Sequence, residues 1–404
     1  MAWGSNVWRR LIGRSPPVTI LAAGLTSLLA LLVLFASDPW RVEALYVQGI
    51  GPWIQAIPNT LTRPIPFSVA EPLVVGAGAA LLAWLLRRAG LLWRPPPDQP
   101  RLRVVGHTLA ALYTASVAVA LSFYVLWGLA YARPILELRR GWIASADEVF
   151  EVDTDELEVL ARALVDRVNA LYLELHGLPD GFSPTLAPDG LDAADAAVDR
   201  GWLGVVRTLD LHPSVARSRG PTKGIASSLL YTWLGIGGFY FPFTAEANIN
   251  WMAPEWQQPH TMAHEKAHQR FFASENEANF YGFVACTHSD DPFVQYSGWL
   301  FAQRQVLGAL RRLDSWAFLR QIERRNPGVQ RDVLAAYSFW TGYDGPIADL
   351  SHAVNDAYLR VNRVQGGVQS YNRSLELLVR YARSRGGSLE PGGPQGPRHA
   401  PSGG

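Results

Sequence analysis

Two of the chain's nine histidines, His264 and His268, stand in the pentapeptide HEKAH, with Glu265 directly after the first. On a helix, residues four apart project from one face, one turn apart. That spacing lets both imidazoles reach one Zn2+ at about 2.0–2.1 Å. Glu265 then leans toward the open metal position, where a carboxylate can take a proton from water and relay it to a leaving amine. Chance alone places an HExxH in roughly one such sequence in a hundred, so the motif is informative without being decisive. The competing reading is a solvated amphipathic helix whose histidines merely pack.

A zinc peptidase needs a third protein ligand. One large class has a glycine three residues after the second histidine and another histidine six after it; here those positions are Phe271 and Ser274. Glu275, Glu277 and His288 remain as candidates. On an unbroken helix Glu275 would lie more than about 15 Å of rise from His264, so the chain must turn near residues 272–274 for either glutamate to be a ligand. Ser274 suits the start of a second helix, and Ser274-x-x-Glu277 fits a capping box. First-turn acids are also favoured by the helix dipole, which is the plain explanation of Glu275. His260, four before His264, shares its face and reads as an ordinary helix-start histidine.

The elements that must hold these residues are legible in outline. A helix resumes at about Gln258, with Pro259 in its first turn. Before it, GIGGFYFPFTAEANINW opens with glycines and continues with aromatic and β-branched residues. It predicts one or two short strands around Phe239–Phe243 and Ile249–Trp251. Pro242 restricts the first to a sheet edge, because proline cannot donate to a ladder. An extended substrate can pair with such an edge; Tyr240, Glu246, Asn248 and Asn250 could each reach the cleft or be plain turn and surface polar residues. Tyr371, Arg373, His288 and Tyr281 are candidate donors to a developing oxyanion.

Elsewhere, DTDELEVLARALVDRVNALYLELHG places Leu157, Leu160, Leu164 and Val168 on one stripe. Asp153 caps its start, with Glu156 three on, and Gly177 ends it. A short helix is expected near Asp192–Asp199, with more at Pro292–Leu313, Arg331–Gly342, Pro346–Val361 and Ser370–Ser384. Residues 385–404, rich in Gly and Pro, read as a disordered tail.

The N-terminal third is apolar. Residues 15–37 and 104–132 contain no Asp, Glu, Lys or Arg, and each exceeds the roughly 20 residues that cross a bilayer as a helix. A weaker segment between them contains Glu71 and Pro72. Three spans are expected, at about 16–37, 66–86 and 104–130, making residues 1–132 a membrane region and 133–384 a separate domain. The first apolar run is too long for a signal-peptide core. Eight arginines on the N-terminal side of this arrangement face five on the other, so the positive-inside rule places the N-terminus in the cytoplasm and the domain outside it. The net charge of +1 gives no reason to expect nucleic acid as a partner. The single cysteine, Cys286, excludes an intrachain disulfide framework and any CxxC knuckle.

The chain resembles a bacterial membrane family catalogued as domain of unknown function 3810. The resemblance rests on three N-terminal spans, FYFPFTAEANIN, HTMAHEKAHQR, ENEANFYGF, YSGWLFAQRQVLGAL, NDAYLRVN and GVQSYNRSLELLVRY. It implies a mainly α protein in which three transmembrane helices precede an α+β zincin-like domain of several helices and a short edge-strand region. It further implies a gluzincin-like zinc metallopeptidase, with His264, His268 and Glu275 as metal ligands and Glu265 as general base. ENEAN is similar to the ExxAD element of membrane zinc peptidases, whose first Glu binds zinc; Asn279 stands where they have Asp. The expected partners are the lipid bilayer and a peptide or cell-envelope substrate. A non-catalytic zinc-binding or envelope-binding module is the alternative. A transporter is disfavoured, because the spans hold only Glu71 and His107 as ionisable groups.

Overall fold

A computed structural model describes residues 16–97, 99–180, 184–361 and 371–392. The protein is mainly helical (69%), with one small three-stranded mixed sheet. It divides into two compact units.

The first unit comprises Met1–Pro58, Val69–Arg133 and Pro242–Thr244. Its helices are α1 (Pro16–Phe35), α2 (Pro39–Thr62), α3 (Ala70–Trp93) and α4 (Arg101–Leu126); the last residues of α2 belong to the second unit. Helices α3 and α4 are long and apolar enough to cross a membrane, and α1 with α2, bent by 102°, could form a third span. The expected loop after the first span is instead helical, and Val42–Ile50 is wound as a π-helix. Pro58 inside α2 masked this in the sequence. Glu71 falls in the first turn of α3, where a carboxylate complements the helix dipole. Buried Glu43 is matched by Arg133 at 2.8 Å. Tyr46 donates to the Val125 carbonyl at 2.9 Å.

The second unit comprises Asn59–Ser68, Pro134–Phe241 and Ala245–Gly404. Helix α5 (Thr154–His176) starts as the sequence dictates, the Asp153 carboxylate accepting from the Glu156 N–H at 2.7 Å. It ends at Gly177 with φ +71°. Its apolar stripe buries Leu157, Leu160, Leu164 and Val168. Helix α6 (Leu191–Thr208) runs nine residues beyond the expected Asp199. Gly201 and Gly204 resemble breaks, but they lie where α6 meets Ala285 and His288. The sheet has the order β1 (Lys223–Gly224), β3 (Glu246–Ile249), β2 (Gly238–Phe241). Strands β1 and β3 are parallel, with Lys223 opposite Asn248; β2 and β3 are antiparallel, with Tyr240 opposite Ala247. The two-residue β1 was too short to show in the sequence. Strand β2 lies at an edge as expected, but it ends at Phe241, so Pro242 falls just outside it.

Seven further helices complete the unit: α7 (Gln258–His268), α8 (Glu275–Thr287), α9 (Pro292–Leu313), α10 (Ser315–Glu323), α11 (Pro327–Thr341), α12 (Pro346–Val361) and α13 (Tyr371–Arg383). Helix α10 was not expected; Asp314 caps it by accepting from the N–H groups of Trp316 and Ala317. Trp202, Tyr172, Tyr296, Phe283 and Trp299 centre the core. The packed chain continues past Ser384 to buried Leu389; residues 393–404 of the expected tail lie outside the described residues.

Candidate metal centre

Helix α7 carries the two histidines, and its C-terminal end determines where the third group falls. Phe271 adopts φ +66°, a left-handed conformation unusual for a bulky residue. The Phe271 N–H bonds to the His268 carbonyl at 3.0 Å and the Phe272 N–H to the Ala267 carbonyl at 3.2 Å. This is the Schellman pattern that satisfies a helix's last carbonyls. The chain reverses there, and Glu275 opens α8 beside the histidines. The turn has a second role, because the Phe272 carbonyl accepts from His268 Nδ1–H at 2.8 Å.

The partner of His264 comes from α8. Asn279, one turn beyond Glu275, accepts from His264 Nδ1–H through its amide oxygen at 2.9 Å. The Asn279 amide nitrogen faces Ser374 Oγ at 3.4 Å, and its carbonyl accepts from His260 Nε2–H at 3.1 Å. Each candidate ligand imidazole therefore spends its Nδ1–H on an oxygen, which leaves Nε2 as the lone-pair atom.

Those lone pairs converge. The two Nε2 atoms are 3.1 Å apart. A Glu275 oxygen lies 3.1 Å from His264 Nε2, and the other lies 3.6 Å from His268 Nε2. Among the described residues, His264, His268 and Glu275 form the one group of three such side chains with ligating atoms all within 4.8 Å of one another. Tetrahedral zinc with bonds of about 2.0–2.1 Å separates its ligand atoms by about 3.3 Å, so the donor set fits that ion. Two neutral imidazole lone pairs repel at such a distance, and a cation between them removes the repulsion. Burial works against ionisation of Glu275, but His268 and His264, when protonated, hold its carboxyl well below the usual carboxylate range.

Glu265 lies beside this group and is 4% exposed. Burial pushes its pKa up to about 8; His264 opposes the rise and Glu275 adds to it. Its Oε2 is buried without a hydrogen-bond partner. Strand β2 presses against it, and a Cβ at Gly238 would come within 2.9 Å of Glu265 Oε1. Only a glycine fits there.

The back of α7 is held differently. Lys266 is wholly buried and pairs with Asp195 at 2.8 Å and Asp199 at 3.1 Å, both on α6. Arg270 pairs with Asp199 at 3.2 Å and stacks over Trp202. Two buried cations thus meet two acids, each pair spaced four apart. The matching DAAVD and KAHQR spacing is the trace this leaves in the sequence.

Other candidates stand elsewhere. Glu277 accepts from the Leu136 N–H at 2.9 Å and pairs with Arg139. It is neither in the ligand group nor part of a capping box, for the Ser274 side chain makes no cap bond. His288 donates to the Val284 carbonyl at 2.9 Å and meets Thr208 Oγ1 at 2.8 Å. Tyr281 is buried, its ring stacked 3.7 Å from that of Phe272. His260 is buried against the Phe301 ring at 3.8 Å, and burial lowers its pKa to about 3. Glu246 pairs with Lys223. Asn248 donates to the Glu246 carbonyl at 3.2 Å, and Asn250 to Thr232 Oγ1 at 2.8 Å. Tyr240 is two residues along β2 from Gly238 and so shares its α7-facing side. Arg373 lies close enough to act on Glu137. The Tyr371 side chain is outside the described residues.

No curated protein and no solved structure matches the chain. The model of one family, described as a protein of unknown function (DUF3810), matches residues 46–379. The chain belongs to that family.

Proposed function

We propose that the protein is a membrane-anchored zinc-dependent metallopeptidase, with a zincin-like, extracytoplasmic catalytic domain and a cytoplasmic N-terminus. The observation that carries this reading is the convergence of His264 Nε2, His268 Nε2 and the Glu275 carboxylate beside Glu265, whose Oε2 is buried without a hydrogen-bond partner. A structural zinc site takes four protein ligands and has no use for a base; three ligands beside a carboxylate suit a catalytic one. When bound there, zinc supplies Lewis acidity, activating water and polarising a carbonyl.

The chain's own groups do the rest. Glu265 accepts a proton from the attacking water as its oxygen bonds to the peptide carbon. It returns that proton to the amine nitrogen as the C–N bond breaks. Asn279 and the Phe272 carbonyl fix both imidazoles with Nε2 forward. Edge strand β2, in contact with Glu265 at Gly238, offers backbone groups with which an extended peptide can pair.

The test uses the full chain in detergent, a randomised peptide library and metal analysis. Glu265→Gln keeps the side chain's size but removes the base. It should retain zinc while cleavage falls on the order of 10²–10⁴-fold. Undiminished cleavage by Glu265→Gln would eliminate this mechanism. Zinc binding with no cleavage by the parent chain would favour a non-catalytic zinc-binding or envelope-binding module.

A further inference from the structure

The loop RSRG, residues 217–220, runs between α6 and β1 and carries two arginines. Gly220 has φ +101°, and a Cβ there would come within 2.9 Å of Arg63 Cγ. The loop therefore curves around the stem of a third arginine. It is pinned from both sides. Ser218 Oγ donates to Asp199 at 2.7 Å, and Asn59 donates to the Arg219 carbonyl at 2.6 Å.

None of the three guanidinium groups has a hydrogen bond or ion pair among the described residues. Arg219 is partly buried, and its Nε is shielded from solvent without a partner. Burial pushes its pKa below the usual value; Tyr240 opposes this and Arg217 adds to it. The nearby acids Asp195 and Asp199 are already matched by Lys266 and Arg270, so Arg63, Arg217 and Arg219 add three uncompensated positive charges. A partly buried charge without a counter-ion is costly. An arginine fork without a protein acceptor is the kind of donor that recognises phosphate oxygens.

We propose that Arg63, Arg217 and Arg219 form a binding site for a phosphate group, carried on a lipid headgroup or free in solution. The lipid source has a positional argument. Arg63 lies between α2 and candidate span α3, seven residues before Ala70. Fully extended, that stretch of chain measures at most about 25 Å, so a lipid phosphate is a source to be tested beside free phosphate.

The experiment follows thermal unfolding of the full chain in detergent at constant ionic strength. The probes are inorganic phosphate, phosphatidylglycerol, diacylglycerol as a headgroup-free control, and polyglutamate. A saturable rise in Tm with phosphatidylglycerol alone supports the lipid source; a rise with inorganic phosphate supports free phosphate. In either case Arg219→Gln should weaken the apparent affinity at least tenfold, the size expected for one charge-assisted contact. Ligand-free Arg219→Gln should unfold no earlier than the parent, because it removes an uncompensated charge. The double variant Arg63→Gln/Arg217→Gln changes two exposed residues and should weaken affinity similarly. The proposal is overturned if neither phosphate probe raises Tm, or if diacylglycerol acts as strongly as phosphatidylglycerol. A shift that persists in both variants, or a response to polyglutamate alone, also overturns it. So does a fall of several degrees in ligand-free Arg219→Gln, which would assign that residue a structural role.

Discussion

The front and back of α7 carry similar numbers of polar side chains and treat them in opposite ways. On the back, Lys266 and Arg270 are buried and matched by Asp195 and Asp199. On the front, His264 and His268 point lone pairs at each other, and one oxygen of Glu265 has no partner. Helix α8 repeats the contrast. Glu277 is bound to Leu136 and Arg139, whereas Glu275 faces the two imidazoles. Satisfied polar groups hold the helical hairpin in place, and unsatisfied ones mark where a ligand completes it.

The sharpest way to break the contrast is on the back of α7. Asp199→Ala leaves Lys266 and Arg270 short of a buried counter-charge. Breaking one partner of a buried pair typically costs about 3–5 kcal/mol. Denaturant unfolding should show a loss of that size. A change below about 1 kcal/mol would mean that the network does not anchor the helix.

Next in size is a pH effect from Glu137, in the single turn Leu136–Arg139 that also meets Glu277. Burial, with help from Glu277 and Glu376, raises its pKa to about 7. A raised acid stabilises the fold fully below its unfolded value of about 4.5, and that stability is lost as pH rises through about 7. Glu137→Gln should therefore be the more stable protein at pH 8, by at most about 3 kcal/mol. The gap should narrow toward pH 4.5. A pH-independent difference between variant and parent would contradict the assignment.

A smaller effect belongs to the front. Asn279→Ala removes the acceptor that fixes His264, and the loss of such a partner typically lowers metal affinity by about 10–100-fold. Competition with a chelator measures it. Unchanged affinity would remove Asn279 from the centre.

How much of this could be read from the chain depended on range. His264, Glu265 and His268 declare themselves because helical spacing is local, and the turn before Glu275 follows from helix rise once that glutamate is taken as a ligand. Asn279 was singled out only through the resemblance of ENEAN to the ExxAD element. The Phe272 carbonyl was not, since a backbone atom leaves no trace in residue type. Glu277 misled because Ser274-x-x-Glu277 fits a local motif, while its actual partners lie about 140 positions earlier. The partners of Lys266 and Arg270 are also distant in the chain, at Asp195 and Asp199. In α2, two internal prolines, Pro52 and Pro58, and two glycines hid a helix. The polar residues of the strand region, Glu246, Asn248 and Asn250, are taken up by internal ties to Lys223, the Glu246 carbonyl and Thr232.

Metal analysis of the full chain, loaded with zinc and then washed, bears most directly on whether the unsatisfied front of α7 is a metal centre. The parent and Glu265→Gln should each retain about one Zn2+ per chain. The double variant His264→Ala/His268→Ala should retain essentially none, with its helical content unchanged. Absence of stoichiometric zinc in the parent, or full retention in the double variant, would contradict it.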